Sequence, residues 1–208
     1  IHPSPSYHGY DVVDYFAVNP EYGTQADFEA MLAALENAGI RVILDFVGNH
    51  SSSQHPRFLN SAQGPSAQYR DHFTWSDIDY GTGWHPLNGS HYLGSFWSGM
   101  PDWNVTHPDV VQYHYDVLDH WVGLGVDGFR YDAVKHLVDD FAPGFTSNHP
   151  GTFDYLADFY SQYKSISPEV FCVGEVWDQT SVIDQYGPPY LDGCFEFGLA
   201  SGIVNSVN

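Results

Sequence analysis

The chain has 208 residues, of which 43% are hydrophobic and 17% aromatic; this excludes a disordered protein and suffices for one domain with a sizeable core. Twenty-six acidic residues stand against six basic ones, and a net charge of −20 argues against a nucleic acid as partner. No apolar run is long enough to span a bilayer, so we expect no membrane partner either.

The first half of the chain predicts one helix, one strand and one irregular segment. Residues 24–39 carry a cap at Thr24, an apolar stripe and a stop at Gly39, which is typical of a helix. Residues 40–50 form an apolar, β-branched run that indicates a strand buried on both faces. Residues 51–100 are rich in Ser, Gly, His, Tyr and Trp, and we expect an irregular excursion with one or two short strands.

The second half alternates between helices and strands. Helices are predicted over 107–125 and 153–166 and from residue 203 onward, and strands over 125–134, 169–177 and 192–200. Buried strands that alternate with helices predict a parallel sheet, either open and doubly wound or closed as a (β/α)8 barrel. Cys172 is expected to be a free core thiol, with a Cys172–Cys194 disulfide left open.

Polar residues follow three of the predicted strands at their carboxyl ends. They are Asp45, Asn49 and His50 on the first strand, Arg130 and Asp132 on the second, and Glu175 on the third. Functional residues of parallel sheets lie at this edge, so the sequence predicts an active site there.

Two carboxylates at one site can divide the work of glycoside hydrolysis between a nucleophile and a general acid/base. Arg130 and Asp132 point to the same face of a strand, and the positive charge would keep the aspartate ionised, as a nucleophile requires. The apolar neighbours Val173, Val176 and Trp177 would favour the protonated form of Glu175, which suits an acid. The alternative is a buried Arg130–Asp132 ion pair with Glu175 at a rim.

Five short segments resemble the α-amylase family of glycoside hydrolases. DFVGNH (45–50), GFRYDAVKH (128–136) and GEVW (174–177) are similar to three of that family's four main motifs, in the family's order. MPDWN (100–104) resembles an accessory fifth motif, with Trp103 in place of the usual Leu. GYDVVDYFAVNPEYGT (9–24) resembles the segment after the second barrel strand, so the likeness covers essentially the whole chain.

The resemblance implies a role for individual residues. Asp132 matches the nucleophile, Glu175 the acid/base and Arg130 the arginine that holds the nucleophile. His50 matches a histidine that hydrogen-bonds the sugar at the cleavage point, and Tyr10 the aromatic platform beneath that sugar.

Lys135 and His136 match residues on the leaving-group side. The plainer alternatives are a core position for Tyr10 and an exposed helix-start position for His136.

The resemblance also implies a structural Ca²⁺. In many members of the family this ion is held by residues that match Asn49 and Asp102 together with the backbone carbonyl of His136. Oxygen ligands from separate segments are what a hard cation takes. Asn49 and Asp102 could equally be strand-end and turn residues that bond to the backbone.

For the fold, the resemblance implies part of a (β/α)8 barrel, about strands three to six. Residues 1–50 and 101–208 would form barrel segments, and residues 51–100 a small inserted domain. The family's fourth motif, which holds a third catalytic carboxylate, is not found in these residues. We therefore expect a piece of a longer enzyme that is inactive alone.

The implied substrate is an α-glucan, cleaved internally at α-1,4 bonds with retention of configuration. Family members that clip chain ends usually carry an aspartate where this chain has Tyr7, which favours internal cleavage. A cyclodextrin or maltooligosaccharide hydrolase and an α-glucosidase are the alternatives within the family. A non-catalytic carbohydrate-binding or partner subunit is the alternative of another class. We expect secretion, although no signal peptide is visible, and the sequence does not indicate an oligomeric state.

Overall fold

The computed structural model describes residues 1–144 and 146–207. The α-helices are α1 (Gln25–Asn37), α2 (Pro56–Ser61), α3 (Pro108–Gly123), α4 (Pro150–Ile166), α5 (Thr180–Ile183) and α6 (Phe197–Val207). The strands are β1 (Ile43–Phe46), β2 (Trp75–Ser76), β3 (Trp84–Leu87), β4 (Ser90–Leu93), β5 (Gly128–Tyr131), β6 (Phe171–Gly174) and β7 (Gly193–Cys194).

Four of these strands form one parallel sheet in the order β1-β5-β6-β7. The register places Asp45 beside Arg130 on neighbouring strands, and Tyr131 beside Gly174. Since all four strands run the same way, their carboxyl ends meet at one edge. The predicted parallel sheet is confirmed.

Helices α3 and α4 cover one face of this sheet. Helix α3 buries residues at helical spacing, from Val110 through Val117 and Leu118 to Trp121. Val111 and Tyr115 of this helix are only partly buried, and the buried stripe also includes Tyr113 and the polar His114.

The helix starts follow from their caps. Thr24 and Asp27 form a capping box at the start of α1, with reciprocal side-chain to backbone hydrogen bonds. Helix α4 begins at Pro150, earlier than predicted, because the His149 side chain accepts the Gly151 N–H and proline is tolerated in the first turn.

The last predicted strand was too long. Strand β7 covers only Gly193–Cys194, and residues 197–200, which we placed in that strand, begin α6. The apolar residues of this short segment do not distinguish a strand from a helix by period alone. Cys172 is buried and Cys194 is half-buried, and both thiols are free.

The segment between β1 and α3 contains its own small sheet. Strands β2, β4 and β3 pair antiparallel in that order, after the short helix α2, which the sequence did not indicate. Two isolated bridges, His50–Asp102 and Phe73–Trp103, lie within this segment, and the first one joins its two ends. Its two ends therefore lie next to the end of β1.

Within the described part of the chain, none of the helices has both the length and the apolar character that a membrane crossing requires.

Candidate active site

The carboxyl ends of β1, β5 and β6 bring four charged side chains together. Asp45 lies on β1, Arg130 on β5, Asp132 directly after β5 and Glu175 directly after β6. Backbone hydrogen bonds fix these ends, from Asp132 N to Phe46 O (3.0 Å) and from Glu175 N to Tyr131 O (2.8 Å). The structure brings Arg130, Asp132 and Glu175 into contact, as the sequence predicted.

Arg130 is the centre of this cluster. Its Nη1 donates to Asp45 Oδ1 at 2.8 Å and to Asp132 Oδ1, and its Nη2 lies 2.7 Å from Glu175 Oε2. Burial lowers the pKa of Arg130, but the carboxylates of Asp45 and Asp132 outweigh burial and raise it. One guanidinium therefore holds three carboxylates in fixed positions.

The backbone at this edge has two unusual positions. Ala133, next to Asp132, has a φ of 50°, a left-handed conformation that residues other than glycine rarely adopt. It turns the chain from β5 into a short 3-10 helix over Val134–His136. At Gly48, a Cβ atom would lie 2.1 Å from the Tyr131 hydroxyl, so only glycine fits beneath the neighbouring strand.

The protonation of Asp132 differs from the sequence-based expectation. Burial raises its pKa to about 7, while Arg130 lowers it and the negative charges of Asp45 and Glu175 raise it further. We expected the arginine to dominate. It does not, because Arg130 divides its charge among three carboxylates and Asp132 is only 7% exposed.

The expected apolar setting of Glu175 was also wrong. Its Oε2 contacts the Arg130 guanidinium and lies 3.4 Å from the Ala133 N–H. Val176, the next residue, is buried in the core, so the apolar neighbours in sequence do not determine where the Glu175 carboxyl group points. The carboxyl group therefore faces the charged cluster and an open cavity.

Tyr10 and His50 border the same cavity, of about 340 Å³. The Tyr10 hydroxyl donates to Asp45 Oδ2 at 3.2 Å, and its ring lies 5.6 Å from the Arg130 guanidinium carbon.

His50 Nδ1 lies 3.1 Å from Asn49 Oδ1, so this nitrogen carries the proton. His50 Nε2 is buried and has no close hydrogen-bond partner among the described residues. Burial lowers the pKa of His50 to about 4 and keeps it neutral.

Lys135 and His136 lie beside a second cavity of about 240 Å³, which also borders Glu175 and Trp177. Lys135 Nζ donates to the Trp177 carbonyl and lies 3.2 Å from Asp178 Oδ2, which ties the end of β5 to the end of β6. His136 Nδ1 lies 3.1 Å from the Thr146 carbonyl oxygen. Both predicted leaving-side residues are therefore at the site's edge, with Lys135 held in an ion pair.

The predicted calcium ligands lie behind this edge. Asn49 Nδ2 donates to the His136 carbonyl at 2.7 Å, and both oxygens of Asp102 accept from Ser95, its backbone N–H at 3.1 Å and its hydroxyl. Burial raises the pKa of Asp102 to about 7, against the effect of Ser95. No lysine or arginine in the described ranges pairs with Asp102. A buried carboxylate without a cationic partner is a ligand that a hard cation would take.

A separate cluster of His72, His107 and Asp109 has potential ligand atoms within 4.8 Å of one another. Its hydrogen bonds argue against a metal. His72 Nδ1 accepts from Arg57 at 3.3 Å, and His107 Nδ1 accepts from the Asp109 N–H at 3.2 Å. Each Nε2 of a neutral ring therefore carries the proton and has no lone pair for a metal.

Sequence reasoning missed several residues of the site. Asp45 was noted as a strand-end residue, but its bonds to Tyr10 and Arg130 were not predicted. Phe96, Trp97 and Met100 come from the irregular segment and line the larger cavity. Asp45 could have been found from its place on the strand next to Arg130, whereas the irregular segment gave no periodic signal.

A family model for the catalytic domain of alpha amylase matches residues 1–201. The chain is 41% identical, over its whole length, to alpha-amylase 3 of Dictyoglomus thermophilum, of which it covers 40%. It is 34% identical to a 4-alpha-glucanotransferase of Thermotoga neapolitana, over 88% of this chain and 41% of that protein. It is 37% identical to maltase 1 of Drosophila virilis, over 86% of this chain and 31% of that protein.

Solved structures of other proteins also superpose closely on this chain. An alpha-amylase from H. orenii superposes with a TM-score of 0.89 at 36% identity, over 99% of this chain and 42% of the other. A trehalose-6-phosphate hydrolase of Bacillus licheniformis superposes with a TM-score of 0.87 at 30% identity, over 95% of this chain and 40% of that one. The predicted partial (β/α)8 barrel is thereby confirmed. The chain spans between 31% and 42% of the length of these relatives and structures.

Proposed function

Because the chain belongs to the α-amylase family of glycoside hydrolases, we propose that it supplies the nucleophile and the acid/base of an enzyme that cleaves internal α-1,4 bonds of starch-like glucans. The observation that carries this proposal is the Arg130 cluster. One guanidinium holds Asp132 through Nη1 and Glu175 through Nη2, and both carboxylates line a cavity.

In the first step, an Asp132 carboxylate oxygen attacks the anomeric carbon of a glucose unit. Glu175 gives its proton to the glycosidic oxygen as the bond to the leaving sugar breaks. In the second step, Glu175 takes a proton from water, and the water oxygen displaces Asp132 from the same carbon. Two displacements retain the anomeric configuration.

The other predicted residues support these steps by position. Tyr10 offers a ring beside the reacting centre, and His50, which lines the same cavity, would bind a sugar hydroxyl. Asp45 acts through Arg130 and Tyr10, so we assign it a positioning role. Lys135 and His136 border the cavity on the leaving side.

We also propose that Asn49, Asp102 and the His136 carbonyl hold a structural Ca²⁺. When bound, the ion would neutralise the buried Asp102 and join the inserted segment to β1 and β5. A chelator should then lower the thermal midpoint of the protein, and added Ca²⁺ should restore it. The variant Asp102→Asn should lose this response, whereas a response that survives the substitution would place the ion elsewhere.

The function is tested with the protein expressed from its complete gene and a maltoheptaoside blocked at its non-reducing end. Cleavage of this substrate, abolished by Asp132→Asn and by Glu175→Gln, is the expected result, because only internal attack opens it. Activity on maltose or cyclodextrin without cleavage of the blocked substrate would favour the alternatives in the family. Sugar binding without any turnover would favour a non-catalytic subunit.

A further inference from the structure

Trp97 lies on a short turn that its surroundings hold in place. The Met100 N–H donates to the Trp97 carbonyl at 2.9 Å, and the Ser53 N–H donates to the Gly99 carbonyl at 2.8 Å. The Tyr92 hydroxyl donates to the Ser98 carbonyl at 2.6 Å. The turn after β4 is thus held by a bond of its own, by the backbone of Ser53 and by the side chain of Tyr92.

The indole ring of Trp97 rests directly on Gly99. A Cβ atom added at Gly99 would lie 2.2 Å from Trp97 Cζ2, closer than any side-chain contact allows. Trp97 as a whole is nevertheless 48% exposed, so part of the residue packs on the turn and part remains open. An aromatic ring that is immobilised but open is pre-organised to bind a flat apolar surface.

Trp97 and the residues on the leaving-group side line two different cavities. The larger cavity is lined by Trp97, Asp132, Tyr10 and His50, and the smaller one by Lys135, His136 and Trp177. Phe96 and Glu175 border both cavities. Trp97 therefore lies on the Tyr10 side of the catalytic carboxylates and does not border the leaving-group cavity.

We propose that Trp97, seated on Gly99, is a sugar-binding platform for the glucan on the non-leaving side, beyond the unit that Asp132 attacks. The C–H face of a glucose ring would stack on the open indole face, which buries apolar surface without displacing polar groups. This inference rests on the proposed function. It makes the enzyme specific for chains with at least two units on the non-leaving side.

The test compares two chromogenic substrates that share a nitrophenol leaving group. A nitrophenyl α-glucoside places one sugar on the non-leaving side, and a nitrophenyl α-maltotrioside places three. Trp97→Ala should lower kcat/KM on the trioside about 10- to 50-fold and on the glucoside less than about 3-fold. Gly99→Ala should act in the same direction, because its Cβ displaces the ring.

Trp97→Phe should recover part of the loss, since it keeps an aromatic face. Tyr22→Ala is the matched control, because Tyr22 is an exposed aromatic that lines neither cavity. An equal loss on both substrates, or no loss on the trioside, would overturn the platform.

Calorimetric binding of maltotriose to the wild type and to Trp97→Ala gives a second readout that needs no turnover. Weaker binding by the variant supports the platform, and equal binding overturns it. A wild type that binds maltotriose but hydrolyses no α-glucoside would contradict the proposed function. In that case the difference in maltotriose binding between the wild type and Trp97→Ala still decides whether Trp97 is a platform.

Discussion

Two polar networks lie on opposite faces of strand β5, and they differ in charge and in exposure. Arg130 points to the face where it meets three carboxylates at the edge of a cavity. Tyr131, the next residue, points to the helices, where its hydroxyl donates to Tyr155 at 3.1 Å. The Tyr155 hydroxyl in turn lies 2.7 Å from His114 Nδ1, and all three of these residues are buried.

The charged network is placed to serve the proposed chemistry, and the helix-side network to serve stability. The charged network keeps ionisable groups next to an opening, where substrate can use them, and the carboxylates outnumber their cation. The helix-side network has no charge at neutral pH, because burial and then Arg57 lower the pKa of His114 to about 3. A neutral, hydrogen-bonded network costs little to bury, whereas an unpaired charge would cost several kcal/mol.

The largest expected effect is on the charged face. Asp132→Asn should lower kcat on maltooligosaccharides by about 10⁴-fold or more, as loss of a nucleophile does in other hydrolases. Its thermal midpoint at pH 8 should not fall, because the raised pKa of Asp132 means that its ionised form is costly to bury. A large fall in the midpoint would show that the carboxylate serves the fold.

A smaller effect is expected at the acid/base. Glu175→Gln should reduce hydrolysis of maltooligosaccharides by about 10²- to 10⁴-fold. The first step should suffer much less with a nitrophenol leaving group, which departs without a proton. Pre-steady-state release of nitrophenol measures that step. An equal loss with both kinds of leaving group would contradict the acid role.

On the helix face the effect should be on stability alone. Tyr155→Phe removes the hydroxyl between His114 and Tyr131 and leaves buried polar atoms without a partner. The free energy of unfolding should fall by about 1–3 kcal/mol, with kcat/KM unchanged at a temperature where the variant is folded. Urea titration and initial rates check the two parts. Lost activity in a folded variant would erase the distinction between the faces.

The last effect is seen only when the pH is lowered. The folded pKa of His114, about 3, lies below the ordinary value of 6.5, so the folded state binds fewer protons between these values. Its contribution to stability is complete above pH 6.5 and is lost as the pH falls toward 3, at about 1.4 kcal/mol per pH unit. His114→Gln should flatten the stability profile between pH 6 and pH 4 by this amount. An unchanged slope would mean that other groups carry the acid sensitivity.

The sequence predicted the elements that have a strong period and the residues that follow them. Strand ends at Asp45, Arg130 and Glu175 were placed correctly, because a parallel sheet gathers its carboxyl ends at one edge. The buried position of His114 on α3 was not predicted, since a polar residue in the core does not follow the apolar pattern. Sequence spacing could not reveal that the partner of His114 lies on α4.

The site was predictable where it lies on strands and not where it lies on loops. Phe96 and Trp97 reach the cavity through a turn held by contacts with Tyr92 and with Ser53, and Ser53 is distant in sequence. The protonation of Asp132 depended on how many carboxylates share Arg130, which only the three-dimensional arrangement gives. The roles of the individual site residues, the calcium and the location outside the cell stay predictions.

The central claim, that Asp132 is the nucleophile on the charged face, can be tested by trapping its covalent intermediate. A fluorinated glucosyl fluoride forms the glycosyl-enzyme quickly and releases it slowly. Digestion and mass spectrometry then locate the added sugar. The account predicts one sugar on the peptide that contains Asp132, and none in Asp132→Asn. A sugar on Asp45 or Glu175, or no adduct in an enzyme that is active on α-glucans, would contradict it.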